Sequence, residues 1–285
     1  MASNGYAIQD GEMVRTEAAV IPAVSSAASY GDGCFETWRS YSGSLATATV
    51  HLQRLRQSMA YLGMMPSPDF SDGRIEKQAG KLLEINGLMD QDARLRLQVW
   101  RLGGLGYKTS ATDKIGWLLT ATPVRAYSQP IRLATVSQHR IPSQALAAGF
   151  KLSNGLNYIL ARREAARKGY DDALMLDARG HVSETTIANV FWKKGNMVYT
   201  PSEHCDLLPG ITRACLIRWL EHRDELTLKT GSFTLGELLQ AEMVWLTNSV
   251  QEIVPVSAIE ETEFSSAGPF LTQMKKAYRD MIVYG

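Results

Sequence analysis

Leu52, Leu55, Met59 and Leu62 recur at the spacing of one helix face, and Gly63 interrupts them; the pattern predicts a helix over 49–62. A second helical pattern over 73–86 leads into Ala93-Arg-Leu-Arg-Leu-Gln-Val-Trp-Arg101, where apolar and polar residues alternate as in a strand with one buried face. Residues 34–41 read as a strand closed by the turn Tyr41-Ser-Gly43, and 117–120 as another. The stretch 122–130 contains Pro123 and the turn Ser128-Gln-Pro130, which marks it as a linker.

Beyond it the pattern changes. An amphipathic helix over 157–168, with Ile159, Leu160 and Ala165 on one side and several arginines on the other, stops at Gly169. Strands follow at 172–176, 190–192 and 197–200, the last two joined by Lys194-Gly-Asn196 as a hairpin. Pro209-Gly-Ile-Thr212 opens a helix towards His222, residues 243–247 form a buried strand, and a helix over 269–281 closes the chain. Mixed strands and helices on both sides of the linker give an α/β (α+β) protein of two domains, 1–121 and 131–285.

Composition narrows the classes. Of 285 residues, 45% are hydrophobic and 21% charged, the balance of a globular chain with a real core. A net charge of +1 offers no field for nucleic acid or an acidic membrane. No apolar run reaches the roughly 20 residues of a membrane span, and the N-terminus lacks the build of a secretory signal. Three cysteines without ligand spacing fit reduced thiols in a cytoplasm. The five histidines show no metal-pair spacing, so no metal is expected.

Candidate chemistry starts at Lys151. Apolar neighbours in Gly149-Phe-Lys-Leu desolvate a lysine partly and favour the neutral amine that attacks carbonyls, although most such lysines lay the stem on the surface and keep the ammonium in water. Glu184 stands 33 positions beyond it, after the turn at Gly180; a carboxylate fixed on a strand can keep a pyridinium nitrogen protonated, whereas in isolation a solvated strand-edge glutamate is the commoner case. Leu208-Pro-Gly-Ile-Thr-Arg213 puts the first free amides of a helix at Ile211 and Thr212, with a hydroxyl at the same place, an arrangement suited to phosphate. Arg54 in His51-Leu-Gln-Arg-Leu55 can clamp a phosphate if it faces inward. Gly103-Gly-Leu-Gly106 lacks both the dinucleotide spacing and a following Lys-Ser/Thr, and is set aside.

The order of these motifs resembles the class IV aminotransferases, the fold type IV enzymes of pyridoxal 5'-phosphate (PLP). Tyr30-Gly-Asp-Gly-Cys-Phe-Glu-Thr37 is similar to the family's N-terminal active-site strand and His51-Leu-Gln-Arg-Leu55 to its phosphate-arginine helix. KLSNGLNYILARREA (151–165) resembles its lysine segment, and SETTIANVF (183–191) its pyridine-nitrogen strand. LPGITR resembles the phosphate turn and TNSVQEIVPV (247–256) the last cofactor loop. The resemblance implies two α/β domains with the cofactor between them, a homodimer, and a small amine or amino acid as substrate. It assigns Lys151 as the Schiff-base lysine and proton shuttle and Glu184 as partner of the ring nitrogen. Arg54, the Ile211 and Thr212 amides and the Asn248-Ser249 loop would hold the phosphate, with Tyr30, Arg101 and Tyr107 on the substrate side. One departure is Gly155, near the place where some relatives carry a tyrosine for the cofactor's phenolic oxygen.

Within the family, the GDGCF run and TNSVQEIVPV look closer to 4-amino-4-deoxychorismate lyases, which release pyruvate and 4-aminobenzoate, than to branched-chain enzymes. Against this, Leu105 stands where some lyases place an arginine. The alternatives are a transaminase of D-amino acids, branched-chain amino acids or R-amines, and a PLP-binding protein without turnover. Intact Lys151 and Glu184 argue against the last.

Overall fold

The alternation in Ala93–Arg101 builds the strand it predicts: Ala93, Leu95, Leu97 and Val99 are buried while Arg94, Arg96 and Gln98 turn the other way. The computed structural model describes residues 5–66, 70–103, 106–108 and 114–283, and by its contacts the chain sorts into two units. The first holds 1–125 and Phe150–Asn154; the second holds 126–149 and 155–285. The segment Phe150–Asn154, which the sequence groups with the C-terminal domain, thus belongs with the first unit. The stretch expected as linker gives up 122–123 to a strand.

The first unit contains β1 (Tyr6–Gln9), β2 (Glu12–Arg15), α1 (Ser26–Tyr30), β3 (Gly33–Ser40), α2 (Ala48–Tyr61), α3 (Asp72–Ile85), β4 (Ala93–Arg101) and β5 (Ile115–Pro123). The strands form one antiparallel sheet in the order β2-β1-β5-β4-β3. Leu52, Leu55 and Met59 of α2 and Ile75, Ala79, Leu82 and Leu83 of α3 close its core over Leu95, Leu97 and Val99. Tyr30 is not on the active-site strand: it ends α1, Gly31 turns the chain at φ 70°, and the strand starts at Gly33. The free edge of β3 is covered by Phe150–Asn154. Phe35 N donates to Lys151 O at 3.0 Å and Ser153 N to Gly33 O at 2.8 Å, which satisfies edge groups that would otherwise be open to another chain.

The second unit contains β6 (Ile131–Thr135), α4 (Leu156–Arg167), β7 (Asp172–Leu176), β8 (Val182–Thr185), β9 (Asn189–Lys194), β10 (Met197–Pro201), α5 (Ile211–Glu221), β11 (Thr227–Gly231), α6 (Leu235–Leu238), β12 (Met243–Asn248), β13 (Glu252–Ile259), β14 (Thr262–Glu263) and α7 (Pro269–Val283). Its sheet runs β11-β10-β9-β12-β13-β6-β7-β8, with β14 paired to β13, and β8 returns to β9 through the pair Glu184–Asn189. That pair closes a ring of six strands. The period of 2 divides the strands between two cores. Val190, Val244, Leu246, Val254 and Val256 pack together, and Phe191, Trp245 and Ile253 pack against α5 and α7. No helix among the described residues is long and apolar enough to cross a membrane.

Candidate functional site

Lys151 is held from both sides of its peptide. Its carbonyl receives Phe35 N, and its own N–H donates to Ser58 Oγ at 3.3 Å; the same hydroxyl donates to Arg54 O at 3.2 Å. The half-buried residue carries Nζ to 4.7 Å from the centre of the Phe35 ring, so the amine meets an aromatic face. The ring it meets belongs to Phe35 of β3 and not to its sequence neighbour Phe150, which stacks on Tyr61.

Glu36 is the surprise of this unit. It lies on the core-facing side of β3 between Cys34 and Trp38, fully buried. Arg54 Nε donates to Oε1 at 2.6 Å and Nη2 to Oε2 at 2.9 Å, and His51 Nδ1 lies 2.6 Å from Oε2. Burial pushes the carboxyl pKa up, but the His51 hydrogen bond and the Arg54 charge outweigh it and hold the group at about 2. Burial lowers the pKa of His51. Arg54 faces inward, as a clamp must, and Glu36 is a partner that the motif alone did not announce.

On the presumed substrate side the residues separate. Arg101 is buried, with Nε donating to Asp32 Oδ2 at 2.8 Å and Nη2 to Leu62 O at 2.6 Å. Tyr30 and Tyr107 approach each other with ring centres 5.1 Å apart, and Tyr107 is 92% exposed. Leu105 and Gly104 lie outside the described residues. Arg96 was missed: its guanidinium sits 3.8 Å from the Phe35 ring centre, on the sheet face that α2 and α3 leave uncovered. Among the described residues it makes no hydrogen bond or ion pair. Burial, and then the charge of Arg94, lower its pKa to about 10, so it remains a cation at neutral pH. The alternation over 93–101 was the available signal, since it puts Arg94, Arg96 and Gln98 on the face opposite the core.

In the second unit Glu184 is 4% exposed, not a solvated strand edge. Closure of the ring puts it there. Oε1 accepts from Tyr158 Oη at 3.1 Å and lies 3.2 Å from Arg140 Nε, while Oε2 accepts from Asn189 Nδ2 at 3.1 Å and from Leu208 N at 3.2 Å. Arg140 also lies over the Tyr158 ring, 4.5 Å from its centre, and donates to Asp206 O at 2.8 Å. Burial and then the Glu184 charge raise the Tyr158 pKa well above the usual range, so the phenol stays protonated. Tyr158 is the half-buried tyrosine after the lysine; Gly155 is instead the residue preceding α4.

The helix that the sequence opens at Pro209-Gly-Ile-Thr212 starts there. Gly210 precedes α5, which starts at Ile211 without a side-chain cap, leaving first-turn amides, those of Ile211 and Thr212 among them, outside the helix ladder. A methyl group at Gly210 would fall 2.1 Å from Asn189 Oδ1. The Thr212 hydroxyl, however, is buried against Tyr278 Oη at 3.1 Å, so this residue offers its N–H and not its side chain. Asn248 Oδ1 accepts from Val250 N at 3.0 Å and Gln251 N at 2.7 Å, shaping the loop that carries half-buried Ser249. One residue earlier, Thr247 Oγ1 is buried without a hydrogen-bond partner among the described residues.

The Amino-transferase class IV family matches residues 33–259. The chain belongs to the class IV aminotransferase family. It is 31% identical over 276 residues to the aminodeoxychorismate lyase of Bacillus subtilis, covering 96% of this chain and 93% of that one. It is 30% identical over 263 residues to the D-alanine aminotransferase of Bacillus licheniformis, covering 89% of each. The solved branched-chain aminotransferase of Thermoproteus uzoniensis with norvaline superposes with a TM-score of 0.88 at 26% identity, over 98% of this chain and 95% of that one. The mixed α/β architecture is therefore that of the class IV enzymes, and this chain is an enzyme of that family.

Proposed function

We propose that this aminotransferase-family enzyme uses PLP to act at the amino-bearing carbon of an amino acid or related amine, and that its reaction is that of an aminodeoxychorismate lyase. The cofactor fits the residues present. The uncapped start of α5 and Thr247 Oγ1, buried without a hydrogen-bond partner among the described residues, are donors suited to a phosphate, and Glu184 is a buried carboxylate of the kind that stabilises a ring N–H cation. Arg54, the Ile211 and Thr212 amides and the Asn248-Ser249 loop would hold the phosphate.

When bound, PLP supplies a carbonyl that captures amines and a conjugated ring that withdraws electrons from the adjacent carbon. Lys151 is the amine to carry it and to move the proton at the substrate carbon. Glu184, fixed by Tyr158, Asn189 and the Leu208 amide, holds its negative charge in place. Arg96 supplies a cation for a substrate carboxylate, where the resemblance put Arg101 on the substrate side. Tyr30 and Tyr107 extend the substrate side.

The single observation that carries the lyase reading is the likeness to the Bacillus subtilis lyase along nearly the whole of both chains; Arg96, with no hydrogen bond or ion pair among the described residues, suits an anionic substrate. The D-alanine aminotransferase likeness favours a transaminase as the second reading. Holoenzyme given aminodeoxychorismate and no keto acid should release pyruvate and 4-aminobenzoate in equal amounts. Absence of 4-aminobenzoate, with amino transfer from D-alanine or L-leucine to an added keto acid, overturns the lyase reading in favour of the transaminase. The enzyme is further read as a cytoplasmic homodimer, for which light scattering of the holoenzyme should give twice the chain mass.

A further inference from the structure

An ionised glutamate on the core face of a strand needs a reason. Cys34 and Trp38, on either side of Glu36 along that face, are fully buried, and a carboxylate taken from water among such neighbours is unfavourable unless it is paired and hydrogen-bonded. Apart from the Thr37 N–H on the strand itself, which donates to Oε2 at 3.3 Å, its partners come from one stripe of α2. His51 and Arg54 are three positions apart and point to the same side, and Ser58, one turn on, links the Arg54 carbonyl to the Lys151 N–H.

The geometry is a fork. Two of the guanidinium's five N–H groups, Nε and one on Nη2, go to the two oxygens of Glu36. A paired fork defines the plane of both groups, whereas a single contact leaves the guanidinium free to rotate. His51 then fixes the carboxylate. Because Glu36 is ionised, Nδ1 of His51 is the donor, and Nε2 is left buried with no hydrogen-bond partner among the described residues. The imidazole lies flat beside Trp38, with ring centres 5.9 Å apart. Its only polar contact among the described residues is with Glu36, so holding that carboxylate is what the ring does.

We infer that Glu36 and His51 are positioning residues, a buried relay that sets the plane of the Arg54 guanidinium so that it meets the cofactor's phosphate without rearrangement. The inference rests on Arg54 being a phosphate ligand. Glu36 and His51 touch neither cofactor nor substrate in this scheme. They act through Arg54, and their effect is confined to the phosphorylated form of the ligand.

That confinement supplies the test. Apo-protein is titrated with PLP and with pyridoxal, which lacks the phosphate, following quenching of tryptophan fluorescence; the readout is the ratio of the two dissociation constants. Glu36→Gln and His51→Phe should each lower the preference for PLP by about tenfold or more, the loss expected for one charge-assisted contact. His51→Asn, whose amide can donate where Nδ1 does, should restore it to within about twofold of wild type. A substitution that merely loosens the unit weakens both ligands together, and an unchanged ratio in His51→Phe overturns the proposal. If Glu36→Gln does not fold, the His51→Phe and His51→Asn pair decides alone. Arg54→Gln separates the two levels. If it leaves the ratio at the wild-type value, Arg54 is not the phosphate ligand. If it collapses the ratio while His51→Phe does not, the relay fails and the clamp stands.

Discussion

The Tyr158 hydroxyl donates to Glu184 Oε1 at 3.1 Å, so the carboxylate that the family resemblance assigns to the pyridine nitrogen has an internal partner of its own. Glu184→Gln removes the charge that would keep the ring nitrogen protonated, and turnover should fall on the order of a thousandfold or more while PLP still binds. Tyr158→Phe leaves the charge in place and removes one hydrogen bond, so its loss should be the smaller of the two. Steady-state kinetics with a parallel cofactor titration check the pair. Turnover of Glu184→Gln near the wild-type rate removes Glu184 from the mechanism.

Lys151→Ala should fold, since the segment's hold on β3 is made by backbone groups, and should bind PLP without covalent attachment. Borohydride reduction of wild type followed by peptide mapping should place the pyridoxyl group on Lys151. A label on any other lysine contradicts the assignment.

Two arginines of β4 should fail in different ways. Arg96→Gln removes a cation that makes no ion pair among the described residues and should raise KM for an anionic substrate by roughly 10-fold to 100-fold, with Tm and cofactor affinity little changed. Arg101→Gln breaks a buried pair with Asp32 and should cost about 3 kcal/mol or more of stability, read as a fall in the denaturation midpoint. A lowered Tm in Arg96→Gln with an unchanged KM reverses the assignment.

Acid should expose Glu36. Its folded pKa, about 2, lies below the ordinary value of 4.5, so its contribution to stability is fully present above that ordinary value and is lost as the pH falls towards 2. Thermal unfolding of wild type should therefore decline more steeply between about pH 4.5 and pH 2 than that of Glu36→Gln. Parallel acid limbs would show that the carboxylate is not held ionised by its partners.

Much of this molecule could be read from patterning. The alternation over 93–101 and the period of α2 and α3 gave their elements within a residue or two, because each has one buried face. Short strands such as β1 and β2 escaped, since four residues carry too little periodicity. The burial of Glu184 was illegible for a related reason. It depends on β8 meeting β9 to close the ring, a topological event that local sequence does not record. Arg96 and Arg101 are the same residue type on one strand, and what separates them among the described residues is that Arg101 meets Asp32 and the Leu62 carbonyl, both remote in sequence. The sequence places a hydroxyl beside the Ile211 and Thr212 amides, and nothing nearby announces that Tyr278, 66 residues away, engages it.

Gly210 has a consequence for anyone engineering this enzyme. Its missing side chain leaves the room that Asn189 occupies, and the Asn189 amide both donates to Glu184 and reaches Leu208 O at 2.8 Å. A library randomised at position 210 to widen ligand tolerance would displace Asn189 in nearly every member and so detune Glu184, two links away. The turn before α5 and the carboxylate of β8 are in effect a single mechanical part, and they can be redesigned together or left alone.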